Sequence, residues 1–64
     1  MNPADYEVAF QIISFAGNAK SSAMMAIRES REGNAEEAAK LLEEADRDLH
    51  AAHGAQTKML TQEA

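Results

Sequence analysis

The stretch Arg31-Glu32-Gly33-Asn34-Ala35-Glu36-Glu37 divides the chain into two helical segments. Gly33 can adopt the left-handed backbone conformation that ends a helix, which an alanine would adopt only with strain. Asn34 is a favourable N-cap residue, and Glu37 three residues later completes a capping-box pattern. The stretch therefore predicts that one helix ends just before Gly33 and that a second begins just after Asn34.

Both predicted helices are long. At the N-terminus, Asn2-Pro3 suits the start of a helix, because proline is tolerated at the first position and asparagine caps it. The second segment contains no proline, and Gly54 is its only interior glycine. Since a two-residue connection makes neighbouring helices antiparallel, we predict an all-α fold consisting of an αα-hairpin in one domain. Its predicted parts are a helix over about 3–32, a turn at 33–34 and a helix over about 35–61.

The composition excludes several classes of protein. The 64 residues include 6 basic and 11 acidic side chains, a formal net charge of −5, which argues against binding nucleic acid. The chain has no cysteine, so neither a disulfide nor a thiolate zinc site can stabilise its fold. No apolar run approaches the ~20 residues of a membrane span, and the N-terminus does not read as a signal peptide. We therefore predict a cytoplasmic chain without direct membrane insertion.

Each helix carries a stripe of residues at alternating spacings of three and four, the pattern of coiled-coil-like packing. We predict that the two stripes face each other. The first consists of Tyr6, Ala9, Ile13, Ala16, Lys20, Ala23 and Ile27, and the second of Ala38, Leu42, Ala45, Leu49, Ala52, Gln56 and Met59. Within these stripes, Lys20 is expected to lay its stem along the seam with its charge in water. Gln56 is expected to make a buried hydrogen bond that fixes the register.

The first helix is apolar around much of its circumference. Its large apolar side chains outside the stripe are Phe10, Ile12, Phe15, Met24 and Met25. A helix with this distribution is buried on several sides, which one partner helix cannot achieve. The hairpin is therefore expected to need a third helix or further copies of the chain.

The two histidines are the chemical candidates of the second helix. Asp46, His50, His53 and Thr57 follow steps of four, three and four, so they share one side of the helix. Asp46, His50 and His53 are potential zinc ligands, but three ligands on one straight helix rarely converge on one ion. A solvated flank is the favoured interpretation, and we predict no metal site.

Other chemistry has little basis in the sequence. Catalysis by cysteine is excluded, and the three glycines are too scattered to form a phosphate-binding loop. The serines have no readable arrangement with histidine and aspartate. Histidine is therefore the one side chain available for nucleophilic or proton-transfer work near neutral pH.

Three blocks of sequence stand out together. The first reads Ala9-Phe10-Gln11-Ile12-Ile13-Ser14-Phe15-Ala16-Gly17-Asn18-Ala19-Lys20-Ser21. The second is Arg31-Glu32-Gly33-Asn34 followed by Glu36-Glu37-Ala38, and the third comprises Ala52-His53, Gln56-Thr57 and Glu63-Ala64. In this order they resemble the first-helix signature, the first turn with the start of the second helix, and the end of the second helix of one family, the lactose/cellobiose-type IIA proteins of the bacterial sugar phosphotransferase system.

The resemblance implies a fold and a function. The fold is a three-helix up-down-up subunit that assembles as a homotrimer, a nine-helix bundle in all. The function is that of a phosphoryl carrier, which accepts phosphate on a histidine from the phosphocarrier protein and passes it to the IIB component. The IIB component then serves the transporter that phosphorylates a disaccharide such as lactose or cellobiose.

The chain departs from the family at the phosphoacceptor. In the family that histidine lies on the third helix in a Val-His-Ala-Gln-Asp-His-like segment, as does an aspartate near the trimer axis that is associated with a metal. The sequence reaches Ala64 without such a segment, so we expect a truncated form in which the phosphoacceptor lies beyond Ala64. Neither His50 nor His53 inherits the role. By the resemblance, His53 with Gln56 and Thr57 has a structural or near-site role.

A second hypothesis needs no phosphoryl chemistry. Two copies of a helical hairpin can form a four-helix bundle, which would bury the apolar surplus of the first helix. In that case the chain is an oligomerisation module without catalytic function.

Overall fold

The computed structural model of the protein describes residues 3–61. It contains two α-helices, α1 over Pro3–Arg31 and α2 over Ala35–Thr61. They pack side by side as an antiparallel hairpin, and residues 3–61 include no strand, so the predicted all-α hairpin is confirmed. The predicted cap at Asn2 and the Glu63-Ala64 part of the resemblance lie outside the described residues.

The turn closes with the hydrogen bonds of a Schellman motif. Gly33 has a φ of 84°, its amide donates to the carbonyl of Ser30 (3.1 Å), and the Asn34 amide donates to the carbonyl of Glu29 (2.8 Å). The left-handed glycine required by the sequence is therefore present. The Asn34 carbonyl accepts the first α2 bond, from Ala38 (3.0 Å).

The side chain of Asn34 bonds back to α1. Its Nδ2 donates to Oε2 of Glu29 at 2.6 Å, so this side chain ties the start of α2 to the end of α1. The capping box with Glu37 is not among the side-chain hydrogen bonds of the described residues. The backbone N–H of Asn34, which a capping box would direct to the Glu37 carboxylate, donates to the Glu29 carbonyl instead.

The two helices meet along a seam of mostly small residues, which we call the hairpin seam. Its fully buried members are Val8, Ala19 and Ala26 on α1, and Ala38, Leu41, Ala45 and Ala52 on α2. Half-buried residues fill the positions between them, namely Ile12, Phe15 and Ser22 on α1, and Asp48, Ala55 and Met59 on α2. Alanines at this contact let the two backbones approach closely.

The predicted stripe on α1 is wrong. Tyr6, Ile13, Lys20 and Ile27 are all exposed, and α1 is rotated so that Val8, Ala19 and Ala26 face α2 instead. Helix α1 offers two series of alanines at heptad spacing: one at positions 9, 16 and 23, and another at 19 and 26. Both series satisfy the same periodicity, and in the structure the second series, together with Val8, Ile12 and Phe15, lies against α2.

The predicted stripe on α2 is partly right. Its alanines at 38, 45 and 52 lie in the hairpin seam, and Met59 is half-buried there, whereas Leu42 and Leu49 are exposed. Gln56 is exposed as well, so the expected buried hydrogen bond is not made. A rotation of α2 by roughly 50°, about half of the angle between successive residues, separates the predicted stripe from the observed one.

Most residues of the two predicted stripes lie on a largely exposed face beside the hairpin seam, in which Ala9 and Ala23 are half-buried. Ile27 and Leu42 line one groove between the helices, and steps of three and four from them stay on the same side. We call this the shared face and define it by twelve residues: Ala9, Ile13, Ala16, Lys20, Ala23 and Ile27 on α1, and Leu42, Asp46, Leu49, His53, Gln56 and Leu60 on α2.

Neither described helix combines the length and apolar character needed to cross a membrane.

Candidate functional site

The side chain of His50 is oriented by the backbone of its own helix. Its Nδ1 lies 2.8 Å from the carbonyl oxygen of Asp46 and 3.5 Å from Oδ1 of the same residue. Because a carbonyl oxygen can only accept, this geometry assigns the proton to Nδ1. In the neutral ring, Nε2 then carries the lone pair and faces solvent.

His50 and Asp46 belong to a shallow concavity of about 210 Å³ on α2, lined by Asp46, Leu49, His50 and His53. The side chains of His50 and Asp46 are 78% and 71% exposed, so solvent screens their attraction strongly. The lining contains two imidazoles and one carboxylate but no lysine or arginine. It is therefore poorly suited to hold an anionic group.

The three potential zinc ligands do not form a site. Among residues 3–61, no group of three or more histidine, aspartate or glutamate side chains is placed to hold a metal ion. Asp46, His50 and His53 line the same concavity, yet all project from one straight helix, and Nδ1 of His50 is occupied by the Asp46 carbonyl. The metal hypothesis for these residues has no geometric support.

The three residues predicted to lie near the family's site are all exposed on α2. His53 borders the concavity, and Gln56 follows one turn later on the shared face. Thr57 lies at the outer edge of that face, by helical periodicity. The hairpin presents them on an open surface, where a further protein element can reach them.

The shared face is a surface that the sequence did not predict, since nine of its twelve residues had been assigned to the contact between the helices. A signal for it exists in the sequence. On α1, Met25 and Ile27 flank buried Ala26, each about 100° around the helix axis from it. On α2, Lys40 and Leu42 flank buried Leu41 in the same way. Only the Ile27 and Leu42 side is apolar on both helices.

Comparison with known proteins gives a consistent result. The model of the family described as PTS system, Lactose/Cellobiose specific IIA subunit, matches residues 7–64. The lichenan-specific phosphotransferase enzyme IIA component of Bacillus subtilis (strain 168) is 45% identical over 64 residues, which cover 100% of this chain and 58% of that protein. The PTS system oligo-beta-mannoside-specific EIIA component of the same organism is 36% identical over 63 residues, 98% of this chain and 57% of that protein.

A third relative comes from another genus. The PTS system lactose-specific EIIA component of Lacticaseibacillus casei is 37% identical over 57 residues, 89% of this chain and 51% of that protein. The chain thus spans just over half the length of the curated relatives it matches. No solved structure matches the chain.

Proposed function

Since the chain belongs to the lactose/cellobiose-specific IIA family of the sugar phosphotransferase system, we propose that it is part of a phosphoryl-carrier subunit acting in the cytoplasm. The subunit relays phosphate from the phosphocarrier protein to the IIB component, for uptake of a disaccharide of the lactose/cellobiose class. The observation that carries this proposal is the family match over residues 7–64. The sugars named for the relatives, lichenan, oligo-beta-mannoside and lactose, support the substrate class.

Histidine suits reversible transfer because a neutral imidazole nitrogen attacks phosphorus, and the resulting phosphoimidazole passes the group on readily. We place the phosphoacceptor histidine outside residues 1–64. His50 has an accessible Nε2, but the Asp46 carboxylate lies beside its ring, and the lining of the concavity contains no lysine or arginine. A phosphoryl group there would meet like charge without a compensating cation.

The described part of the chain contributes a scaffold and a recognition surface in this proposal. His53, Gln56 and Thr57 are presented on the exposed side of α2 and border the acceptor site once the remaining elements of the subunit are in place. The chain's own residues need no cofactor for this role. The metal that the family implies at its trimer axis depends on an aspartate outside residues 1–64.

Labelled phosphate transfer tests the proposal. The chain is incubated with phosphocarrier protein bearing labelled phosphate, and its binding to a IIB protein of the lactose/cellobiose class is measured in parallel. We expect the chain to bind this IIB protein more tightly than a IIB protein of an unrelated sugar class. We also expect no label on His50 or His53.

The variants His50→Gln and His53→Gln serve as matched controls for the location of the label. Label that is present on the unaltered chain and lost in one variant would overturn the placement of the phosphoacceptor outside residues 1–64. Equal or absent binding to the two IIB proteins would contradict the carrier-subunit proposal itself.

A further inference from the structure

We propose that a concavity on the outer side of α1, beside the turn, binds a phosphorylated sugar. The concavity has a volume of about 390 Å³ and is lined by Met24, Ile27, Arg28, Arg31 and Glu32. Sites for small molecules commonly have volumes of this order. The inference goes beyond the proposed carrier function and does not depend on it, because it concerns binding of a small molecule and not transfer of a phosphoryl group.

The concavity faces away from the second helix. Arg28 follows buried Ala26 by two residues, about 200° around the axis of α1, so it lies on the side opposite the hairpin seam. Arg31 lies on the same side one turn later, since residues three apart in a helix are neighbours. The two guanidinium groups therefore reach one concavity from adjacent positions.

Neither guanidinium group has a partner in the described part of the chain. Among residues 3–61, no hydrogen bond or ion pair involves the side chain of Arg28 or Arg31. Glu29, which follows Arg28 directly, uses its carboxylate to accept a hydrogen bond from Nδ2 of Asn34 at 2.6 Å. Positive charge in the last turn of α1 is favourable towards the helix dipole, but that interaction leaves the guanidinium N–H groups unbonded. Both sets of donors are therefore available to a ligand.

The two arginines select the charged end of the ligand. Each guanidinium presents a planar fork of N–H donors that matches the oxygens of a phosphate group. A phosphate monoester carries a charge of about −1.5 to −2 at neutral pH, which two arginines balance better than they balance a single carboxylate. The concavity at His50 differs in this respect, because its lining contains no lysine or arginine.

The rest of the lining selects a sugar as the remainder of the ligand. The carboxylate of Glu32 can only accept hydrogen bonds when ionised, so it suits hydroxyl groups and repels a second phosphate. Met24 is 61% exposed and Ile27 54% exposed, so both present apolar surface on which the C–H side of a sugar ring can pack. Free phosphate would leave Glu32 and this apolar surface without a contact.

Titration of the isotopically labelled chain, followed by NMR, is the first test. The probes are glucose 6-phosphate, glucose and inorganic phosphate, and no phosphoryl donor is present, so the outcome is independent of the transfer assay. Glucose 6-phosphate should bind at least about tenfold more tightly than either other probe, because it alone engages both parts of the lining. The largest shifts should occur at the Nε–H signals of Arg28 and Arg31 and at the methyl group of Met24. Absence of binding, or equal affinity for glucose 6-phosphate and inorganic phosphate, would overturn the proposal.

Substitution of the arginines locates the site. Arg28→Gln and Arg31→Gln should each weaken binding of glucose 6-phosphate about tenfold, because each removes a charge-assisted contact with the phosphate group. Arg47→Gln is the matched control, since Arg47 is exposed on α2 and does not line the concavity, and it should leave the affinity unchanged. Circular dichroism should report the same helix content for all three variants. An equal loss of affinity in all three would refute the site.

A substitution at Glu32 tests the sugar contact separately. Glu32→Ala removes a negative charge beside the arginines, so inorganic phosphate should bind at least as tightly as it does to the unaltered chain. Glucose 6-phosphate should lose much of its advantage over inorganic phosphate, because its hydroxyl groups lose an acceptor. A variant that keeps the full preference for glucose 6-phosphate would contradict the assignment of the ligand as a phosphorylated sugar.

Discussion

The hairpin seam and the shared face are neighbouring stripes on the same two helices, and they differ in the size of their side chains. Five of the seven fully buried residues in the hairpin seam are alanines. The shared face instead presents isoleucines and leucines, with Ile27 54% and Leu42 55% exposed. The adjacent residues Leu41 and Leu42 show this contrast most directly, because Leu41 is only 6% exposed and Leu42 is 55% exposed.

This contrast explains how the hairpin is stabilised. Alanines allow the two helices to lie close together, but each removes little apolar surface from water, and the hydrophobic contribution scales with that area. The pair of helices is therefore held largely by Val8, Leu41 and the half-buried Ile12 and Phe15. The larger apolar side chains of the shared face are available for contacts outside the pair.

The largest expected effect comes from truncating the two adjacent leucines. Leu41→Ala should destabilise the hairpin by roughly 2–5 kcal/mol, because it truncates the largest buried side chain of α2 in the described residues. Leu42→Ala should cost less than about 0.5 kcal/mol in dilute solution, where the shared face is in water. Urea denaturation followed by circular dichroism at low chain concentration measures both. Equal costs for the two variants would contradict the distinction between hairpin seam and shared face.

A smaller effect is expected from enlarging an alanine. Ala26→Leu adds three carbon atoms to a residue that is 3% exposed, so it should separate the helices and cost about 1–3 kcal/mol. Ala39→Leu makes the same change at an exposed position of α2 and should alter the free energy of unfolding by less than about 0.5 kcal/mol. Thermal unfolding of the two variants compares them directly. A neutral Ala26→Leu variant would mean that the seam is not closely packed.

The smallest effect concerns the turn that joins the two helices. Gly33→Ala should cost about 1–2 kcal/mol, because φ at this position is 84° and a side chain is disfavoured there. Gly17→Ala is the matched control, since it lies inside α1 and an added Cβ has no atom within 4 Å. That variant should stabilise the chain by about 0.5–1 kcal/mol. The opposite signs should appear as a lowered and a raised melting temperature, and equal signs would contradict the assigned roles of the two glycines.

Much of the fold could be predicted from local sequence. Gly33 and Asn34 mark the turn because backbone conformation and capping depend on residues close in the chain. The buried alanines of α2 were also predictable, since that helix has one apolar stripe with a polar surrounding. On α1 the apolar residues surround most of the helix, so periodicity alone offered several contact sides and indicated the wrong one.

The candidate site, like the fold, could be predicted from the sequence only in part. The blocks around Ala9, Gly33 and His53 were sufficient to indicate the family, which the match over residues 7–64 establishes. The orientation of the His50 ring was not accessible from spacing, because it depends on a hydrogen bond to the Asp46 backbone. The spacing of Asp46, His50 and His53 left a shared metal ion open as a disfavoured alternative, and among residues 3–61 no group of three such side chains is placed to hold one.

The sequence by itself determined that this chain forms two helices with a tight turn, and it determined the family, because both depend on residue types at fixed local spacings. Only the tertiary structure decided which sides of the helices meet and which are left in water. That choice depends on how closely two backbones can approach, and therefore on the combined size of side chains that are distant in the sequence. The alanines at 19, 26, 38, 45 and 52 lie buried at the contact, while Ile13, Ile27, Leu42 and Leu49 beside them are exposed.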